Sequence, residues 1–480
     1  MPTRKNKILF FFLLLIIKFS WVFFLNNNFK SHSVIGNFIA TTAGDTRTYI
    51  EPIENYLKNG EYGMELGAYT PFKSDIPTVF YPALRTPHYG LFYLFFRNFF
   101  SQKISYDLLA LLQIFLEVIS TLAFASMCFS LTMHRLGYYI PLIFLGLSSW
   151  ITFYASYILT ESFTCSFILL GLYYFNNWII DKKLKYLFAA GFFIAYAIMM
   201  KPFLVPWTIF FAISILLVTK NFKGFVKHSI VFIFPLLLLW SPWVIRNYTS
   251  TGTLIPFSKP TYYPCKRLVH SCSEFLSAWG GDPIWWEGNC RTAGTFFYQI
   301  EINSNCEYKF PEYVFTKDYT LEDLRYLRNQ IQLFQHDVKN DSMDRAISNK
   351  FDEMTVSFVN NKPFHYFIYA PLIRLKSSFL KSGSYYIDKH SIPFLLLNTF
   401  QSLLYLLPLC FGSIGLIFMG LNNFRNPMNI ILIGLPICLI IVLTMVFKLN
   451  EWRYFIYVYP IMILYMTHLF IASKKRISHD

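Results

Sequence analysis

The sequence predicts an all-α polytopic membrane protein with about ten transmembrane helices and a mixed α/β or α domain outside the membrane. Hydrophobic residues make up 55% of the chain and charged residues only 14%, whereas a soluble domain carries about 25% charge. Aromatic residues reach 20%. The apolar residues also fall into long runs, which fit helices that cross a lipid bilayer.

Ten apolar runs are candidate membrane spans. They lie near 8–25, 106–130, 137–158, 162–180, 186–200, 203–219, 229–245, 392–420, 428–447 and 454–472. The first run ends in Asn26-Asn27-Asn28 rather than in the small residues of a cleavage site, so 1–25 is predicted to be an uncleaved signal anchor. Lys18 lies inside this run, where it either snorkels to a headgroup or faces a polar interior.

Basic clusters predict the orientation of the chain. With the N-terminus in the cytoplasm, every inner segment is basic, as the positive-inside rule requires. In chain order, the basic clusters are Arg4, Lys5 and Lys7; His134 and Arg135; Lys182, Lys183 and Lys185; Lys220, Lys223 and Lys227; Arg425; and Lys474, Lys475 and Arg476. These loops account for the net charge of +15 without a nucleic-acid partner, for which the sequence has no motif. We expect both termini in the cytoplasm.

The bias toward Phe, Asn and Lys favours an A·T-rich bacterial genome, and we therefore expect the protein in a bacterial inner membrane.

This orientation places two long polar regions outside the membrane. We expect a first outer loop over 26–105, spans two to seven over 106–245, an outer domain over 246–391 and the last three spans over 392–480. Within the outer domain, the segment from Thr320 to Glu353 is charged with helical spacing and is predicted to be an exposed helix.

The cysteines divide into two groups. Half of the eight lie in apolar spans, where they act as small hydrophobes; they are Cys128, Cys165, Cys410 and Cys438. The others fall in the outer domain and are Cys265, Cys272, Cys290 and Cys306. Because no Cys-x-x-Cys pair is present among them, two disulfides are favoured over a zinc site.

Asp45 is the candidate catalytic residue. It follows Gly44 in the first outer loop, about twenty residues beyond the end of the first span. A carboxylate at the edge of the membrane can take a proton from an acceptor hydroxyl. Arg47 or another nearby cation is expected to keep the pKa of Asp45 low.

Charged residues also stand at the outer ends of the spans, where the orientation rule disfavours cations. They are Glu161, Lys201, Arg246, Glu451 and Arg453. Each cation is either a snorkelling anchor or a ligand for an anion, and several at one end of a bundle favour an anionic site.

The loop before the second span adds Arg85 and His88. Proline and glycine at this density predict a loop that folds back on the membrane. His88 either binds a ligand or is a loop histidine with no role.

These residue types fit the transfer of a sugar from a lipid phosphate. The leaving group is a phosphate anion, whose negative charge Arg and Lys side chains stabilise. Asp45 deprotonates the attacking hydroxyl from the other side of the sugar. A single base opposite the phosphate implies inversion at the anomeric carbon. No cofactor is required by this chemistry, and a divalent cation is left open.

Four short patches resemble the polytopic GT-C glycosyltransferases, specifically the group of the dolichyl-phosphate-mannose–protein mannosyltransferases and aminoarabinose transferases (glycosyltransferase family 39-like). The patches are Gly44-Asp45 with Tyr49, Arg85-Thr86-Pro87 with Tyr89, Pro242-Trp243 with Arg246-Asn247, and Glu451 with Arg453-Tyr454 and Pro460. They are spread in the family's order over nearly the whole chain. The sequence departs from the family at 85–90, which reads Arg-Thr-Pro-His-Tyr-Gly where the family more often has a Pro-Gly-Tyr-Pro run.

The resemblance implies a catalytic module that uses a polyprenyl-phosphate-linked sugar on the non-cytoplasmic side, with Asp45 as the catalytic residue. For the donor phosphate, the matching residues are Lys201 and Arg246, followed by Arg85 and Arg453. The candidates for sugar and acceptor binding are Tyr49, His88, Tyr89, Glu161 and Tyr454. Some members of the family bind a divalent cation near the catalytic carboxylate. The acceptor is a protein, a lipid or a glycan.

Other functions share some of these features. A ligase or polymerase of lipid-linked glycans would use the same lipid-phosphate chemistry. A transporter or flippase would also have many spans, although transporters more often carry internal repeats and ionisable residues at mid-membrane. A non-catalytic scaffold would use the cysteine-containing domain to bind partners.

Overall fold

A computed structural model of the protein shows a helical bundle with a helical insert. The structure describes residues 3–29, 35–66, 79–258, 267–283, 292–298, 308–338, 340–379, 391–420, 422–423, 425–448 and 452–477. Within these ranges the regular structure consists of helices and one two-stranded hairpin.

The first half of the chain forms most of the bundle. Its helices are α1 (Arg4–Phe29), α2 (Thr46–Asn59), α3 (His88–Arg97), α4 (Gln102–Thr132), α5 (Leu136–Leu147), α6 (Ser149–Ser156), α7 (Glu161–Asp181), α8 (Leu184–Met200), α9 (Thr208–Thr219) and α10 (Phe222–Thr251). Between α2 and α3, strands β1 (Met64–Leu66) and β2 (Val79–Tyr81) pair antiparallel.

The second half contributes the insert and the last helices of the bundle. These are α11 (Arg267–Ala278), α12 (Ala293–Tyr298), α13 (Leu321–His336), α14 (Asp341–Asn361), α15 (Ala370–Phe379), α16 (Ile392–Gly415), α17 (Pro427–Ile441) and α18 (Tyr459–Ile477). Short 3₁₀ turns occupy Pro202–Trp207, Glu312–Val314 and Trp452–Tyr457, and π-helical turns occupy His365–Tyr369, Leu416–Gly420 and Val442–Val446.

The apolar helices make this a multi-pass membrane protein. Among the described residues, seven helical stretches are long and apolar enough to cross a bilayer, namely Lys5–Asn28, Gln102–Thr132, Glu161–Asp181, Pro202–Thr219, Phe222–Thr251, Ile392–Phe418 and Pro427–Val446. The pair α5 and α6 qualifies as one span bent by 55°, and α8 and Tyr459–Ser473 are shorter apolar helices. All of these stretches coincide with predicted runs, while the number of ten crossings and the orientation stay predictions.

The bend between α5 and α6 is held by polar side chains from other helices. Gln401 on α16 accepts a hydrogen bond from the Ser149 backbone N–H at 2.9 Å and donates one to the Leu147 carbonyl at 3.2 Å. Lys18 on α1 donates to the Leu145 carbonyl at 2.7 Å. Backbone groups that a helix break frees inside a membrane need such partners, so these side chains stabilise the bend.

Lys18 faces a polar interior, which is one of its two predicted alternatives. Its Nζ lies 2.5 Å from a carboxylate oxygen of Glu117 on α4 and 2.9 Å from the hydroxyl of Thr152 on α6. The Lys18 and Glu117 side chains are buried. Removing one member of a buried ion pair leaves the other charge without compensation, whereas replacing both members with apolar groups costs far less.

The last helix, α18, is positioned by close packing against α16. A Cβ at Gly412 would lie 2.3 Å from the carbonyl oxygen of Met462, and one at Gly415 would lie 2.4 Å from that of Tyr465. Small residues at such crossings allow helix backbones to pack closely in membranes. The contact positions α18 and the 3₁₀ turn Trp452–Tyr457 that precedes it.

The insert, defined as residues 252–391 between α10 and α16, has a hydrophobic core of its own. Its regular elements in the described ranges are the helices α11 to α15 and two short turns. A capping box between Thr320 and Asp323 starts α13, because it satisfies backbone N–H groups of the first turn. The prediction of an exposed helix over 320–353 needs correction, because α13 and α14 each bury an apolar face in this core; the residues include Leu324, Leu327, Ile331, Phe351 and Phe358.

The outer-domain cysteines are only partly described. Cys272 is a free cysteine, fully buried in the core of the insert, because α11 turns its side chain toward the apolar interior. The predicted disulfide of Cys272 is therefore absent from the structure. Cys265, Cys290 and Cys306 lie outside the described residues, and any bridge among them stays a prediction. Of the cysteines in the apolar spans, Cys128, Cys165 and Cys438 are buried, while Cys410 is exposed.

The first prediction concerns the buried pair. Lys18→Met should lower the free energy of unfolding by roughly 3–5 kcal/mol, because Glu117 loses its partner. The double variant Lys18→Met, Glu117→Met should recover most of this loss. Lys103→Met is the control, since Lys103 lies exposed on α4. Thermal unfolding in detergent measures the effect, and equal loss in the single and double variants would contradict the pairing.

Candidate functional site

The segment that carries Asp45 is fastened to the junction between α6 and α7. The Thr41 backbone N–H donates to the Ser156 carbonyl at 2.9 Å, and the Ile158 N–H donates to the Thr41 carbonyl at 3.0 Å. The Thr46 hydroxyl donates to the Ile158 carbonyl at 3.0 Å. Asp45 immediately precedes α2, so these bonds fix its backbone against the bundle.

Asp107 on α4 holds the preceding part of the same loop. Its carboxylate accepts four backbone N–H bonds, from Asn37 at 2.5 Å, Phe38 at 3.0 Å, and Ile39 and Ala40 at 2.9 Å each. A carboxylate that accepts several backbone hydrogen bonds forms strong contacts. Sequence reasoning missed Asp107; the only signal was an acidic residue in the first turn of the second predicted span.

Asp45 contacts two arginines. Its Oδ2 accepts a hydrogen bond from Nη1 of Arg453 at 2.9 Å, and its Oδ1 lies 3.6 Å from Nη2 of Arg85. The Asp45 side chain is 32% exposed, so a small molecule can reach the carboxylate. The structure thus brings the first polar loop, the segment before α3 and the turn before α18 to one point.

Glu161, the first residue of α7, extends this ion cluster. Its Oε1 accepts a hydrogen bond from Nζ of Lys201 at 3.0 Å and lies 3.6 Å from Nε of Arg453. The Glu161 side chain is 1% exposed and that of Lys201 is 8% exposed. Arg453 therefore bridges two carboxylates, and charges alternate in sign from Asp45 through Arg453 and Glu161 to Lys201.

The ion cluster sets the protonation of Asp45. Burial raises the pKa of its carboxyl group, but Arg453, Arg85 and Lys201 together more than offset this effect and lower the pKa below its ordinary value of 3.8. Asp45 is therefore ionised at neutral pH.

Aromatic rings flank the cations of the cluster. The Arg85 guanidinium lies 5.2 Å from the centre of the Tyr49 ring. Lys201 and Arg453 lie 4.9 Å and 5.2 Å from the centre of the Tyr454 ring. These distances fit cation–π contacts, which are stronger when shielded from water.

Two of the predicted sugar-binding tyrosines pack against each other. The Tyr49 hydroxyl lies 3.4 Å from that of Thr160, and its ring meets the edge of Tyr89 with ring centres 5.4 Å apart. Tyr89 is only 1% exposed. Tyr49 is thus part of the cluster, whereas Tyr89 supports it from the hydrophobic core.

Arg246 lies outside the ion cluster. Its guanidinium donates to the backbone carbonyls of Pro82 and Tyr62 and packs on the rings of Tyr62 and Trp243, 5.3 Å and 5.4 Å from their centres. The sequence predicted one basic site containing both Lys201 and Arg246. The two side chains have separate partners, and Arg246 fastens the first polar loop to α10; a phosphate site that contains both stays a prediction.

A cavity of about 840 Å³ opens beside Arg246. Side chains of α2, α3 and α10 line it, and most of them are apolar. Tyr62 also lines the cavity, and its hydroxyl donates to the Arg85 carbonyl at 3.1 Å. The cavity and the ion cluster are therefore neighbours joined through Tyr62 and Arg85.

His88 points a neutral imidazole at this cavity. The side chain lines the cavity and is 4% exposed, and its Nδ1 has no hydrogen-bond partner among the described residues. Burial lowers the pKa of His88 to about 4, although the backbone of Leu239 acts in the opposite direction. A neutral imidazole at this position can hydrogen-bond a hydroxyl group of a ligand.

The described residues do not form a metal site with three or more protein ligands of the usual types. Within those ranges, no group of three or more His, Cys, Asp or Glu side chains is placed to hold a metal ion. Asp45 and Glu161 are already bridged by the Arg453 guanidinium.

Comparison with known proteins adds no assignment, since no protein-family model, curated protein or solved structure matches the chain. The resemblance to GT-C enzymes rests on the residues themselves. Most of the predicted site residues meet in the ion cluster, and the members are Asp45, Tyr49, Arg85, Glu161, Lys201, Arg453 and Tyr454. Glu451, which belonged to the fourth patch, lies outside the described residues.

The second prediction uses the lowered pKa of Asp45. A carboxyl whose pKa is lower in the folded state stabilises the fold above its unfolded pKa, and this stabilisation is lost as the pH falls through the folded value. Asp45→Asn should therefore lower the melting temperature at pH 7, and the difference from the parent protein should shrink below about pH 4.

Asp181→Asn is the matched control, because Asp181 is 40% exposed and lies 3.8 Å from Lys183. It should change stability by less than about 0.5 kcal/mol across the same range. A difference between the parent and Asp45→Asn that stays constant from pH 7 to pH 3 would contradict the electrostatic role of the cluster.

Proposed function

We propose that this protein is a membrane glycosyltransferase that moves a sugar from a polyprenyl-phosphate-linked donor to an acceptor hydroxyl, with inversion at the anomeric carbon. The observation that carries the proposal is the ionised carboxylate of Asp45, in contact with Arg453 and Arg85, beside a mostly apolar cavity that contains Arg246. An accessible base, an arginine and an apolar cavity are what this reaction needs from the protein.

Asp45 acts as the general base. With Arg453 and Arg85 in contact, its pKa is too low for efficient proton transfer, because a base works best when its pKa lies near the working pH. A donor phosphate bound nearby adds negative charge, which disfavours the ionised form of the Asp45 carboxyl group. Donor binding then raises the pKa of Asp45, so the base becomes stronger when the donor is present.

Arg246 is the residue that contacts the donor phosphate. Arg85 and Arg453 touch Asp45 directly, which leaves no room for a sugar ring between base and cation. Inverting glycosidases, by comparison, hold their two carboxyl groups roughly 6.5–9.5 Å apart. Arg246 is separate from Asp45 and stabilises the charge that grows on the phosphate as the glycosidic bond breaks.

The cavity next to Arg246 receives the apolar carrier. Its volume of about 840 Å³ lies within the range of small-molecule sites. His88 offers a neutral hydrogen-bonding group to a sugar hydroxyl. Within the ion cluster, Glu161 contacts both Lys201 and Arg453 and keeps Arg453 in place.

The basic loops support a position of this site on the non-cytoplasmic side of a bacterial inner membrane, with both termini in the cytoplasm. The acceptor is a protein, a lipid or a glycan. A ligase or polymerase of lipid-linked glycans is the closest alternative, because it would use the same base and the same phosphate contacts and differ only in the size of the transferred group.

A transporter is the second candidate, and the buried pair of Lys18 and Glu117 favours it, since ionisable residues inside a membrane bundle often mark a transport path. The two functions predict opposite outcomes. A transferase needs Asp45 and tolerates Lys18→Met, Glu117→Met if the bundle stays folded, whereas a transporter needs the buried pair and tolerates Asp45→Asn.

The third prediction tests the transferase directly. Cells lacking the gene should lose one sugar from an envelope glycan or glycoprotein, which mass spectrometry detects as a defined mass difference. The parent gene and Asp181→Asn should restore it, whereas Asp45→Asn should lower the rate of transfer by about 10²–10⁴-fold. Full restoration by Asp45→Asn, or unchanged envelope glycans without the gene, would refute the proposal.

The fourth prediction concerns the donor. Arg246→Gln should raise the donor KM by about ten- to a hundredfold, because a hydrogen bond to a charged group contributes about 1.5–3 kcal/mol. Ser250→Ala is the control, since Ser250 lines the same cavity without a charge. Steady-state kinetics with a synthetic polyprenyl-phosphate sugar measures both variants, and an unchanged donor KM in Arg246→Gln would remove this residue from the donor site.

A further inference from the structure

Arg374 on α15 joins the insert to the bundle. Its side chain is 3% exposed. Its Nε donates to the Thr444 carbonyl at 2.8 Å, and its Nη1 donates to the Ser277 carbonyl at 2.5 Å. Ser277 lies near the end of α11 in the insert, and Thr444 lies in the π-helical turn Val442–Val446 that follows α17. One buried guanidinium therefore connects two separate parts of the chain.

A second contact connects the same two parts. Lys448, just beyond the π-helical turn, pairs with Glu274 of α11 and lies 5.4 Å from the centre of the Tyr366 ring. The backbone of Lys448 is left-handed, with φ of 51°, so the chain turns sharply here. Arg453, which contacts Asp45, follows shortly afterwards in the sequence.

The helix that carries Arg374 also packs directly against the bundle. α15 contacts the turns Val442–Val446 and Trp452–Tyr457. Leu375 packs against the core of the bundle, whereas Tyr366, in the turn before α15, packs against the core of the insert. The turn Trp452–Tyr457, which contains Arg453, thus packs against a helix of the insert.

We propose that Arg374 is a positioning residue: its bonds to Thr444 and Ser277 keep α15 packed on the turn Trp452–Tyr457, and this packing holds Arg453 against Asp45. The contact between Arg453 and Asp45 then depends on the docking of the insert. The expected effect of Arg374 on sugar transfer rests on the proposed function, whereas its expected effect on the position of Arg453 does not. A displacement of the insert would therefore shift Arg453 relative to Asp45.

Loss of the guanidinium has a defined local effect. It leaves the buried carbonyls of Thr444 and Ser277 without this donor, which is costly for buried acceptors. Lysine keeps the charge but lacks the fork of N–H groups that reaches both carbonyls. Arg374→Lys should therefore show a partial effect in the same place as Arg374→Met.

Hydrogen–deuterium exchange of the full-length protein in detergent tests the structural part. In Arg374→Met, amide exchange over 442–447 and 452–458 should become about tenfold faster, with a smaller increase in Arg374→Lys. Exchange in α4 and α7 should stay unchanged. Arg325→Lys is the control, because Arg325 is 55% exposed and pairs with Glu322 on α13. If Arg374→Met does not fold, the test uses Arg374→Lys alone. Unchanged amide exchange over 452–458 in the variants that fold would overturn the proposal.

Steady-state kinetics tests the catalytic part. Arg374→Lys should lower kcat about tenfold while the donor KM changes less than about twofold, because a small displacement of catalytic groups lowers rate more than binding. Faster exchange over 452–458 with an unchanged kcat would overturn the positioning role. If the parent protein transfers no sugar, the proposed function fails, and the exchange experiment still decides whether Arg374 holds this segment.

Discussion

The contact between Asp45 and Arg453 is the interaction on which the rest of the site depends. It joins the first polar loop to the turn before the last helix, and each side is fixed by separate contacts. Asp107 and the junction of α6 and α7 hold the loop, whereas the crossing of α16 and α18 holds the turn. Since opposite charges in a partly shielded site attract strongly, the pair keeps Asp45 ionised and oriented at once.

The same physical constraint explains the other charged residues inside the bundle. A charge taken out of water needs an opposite charge and hydrogen bonds. Glu161 meets this need through Lys201 and Arg453, and Lys18 meets it through Glu117 and the Leu145 carbonyl. The two groups differ in their access to solvent. The group around Glu161 extends to the partly exposed Asp45, whereas the pair of Lys18 and Glu117 is enclosed and supports a bent helix.

The sequence predicted the class of fold because apolar helices that face lipid leave a strong compositional signal. It also predicted most members of the ion cluster, because Glu161 and Arg453 stand at ends of apolar runs on the same expected side, where the first outer loop carries Asp45. It could not predict that Arg246 would bind backbone carbonyls, or that Cys272 would face the core of the insert. Arg374 also escaped detection, since its partners are main-chain atoms far away in the sequence. Each of these outcomes depends on tertiary contacts that leave no local pattern.

The most direct test of the account is the pH dependence of sugar transfer by the purified protein and by Arg453→Gln. The acid limb of kcat/KM reports the pKa of the essential base in the free enzyme. With Arg85, Lys201 and Glu161 still in place, loss of Arg453 should move that limb to higher pH, because the cation that most lowers the pKa of Asp45 is gone. An acid limb at the same pH in both proteins would contradict the assignment of Asp45 as the base and of Arg453 as the residue that controls it.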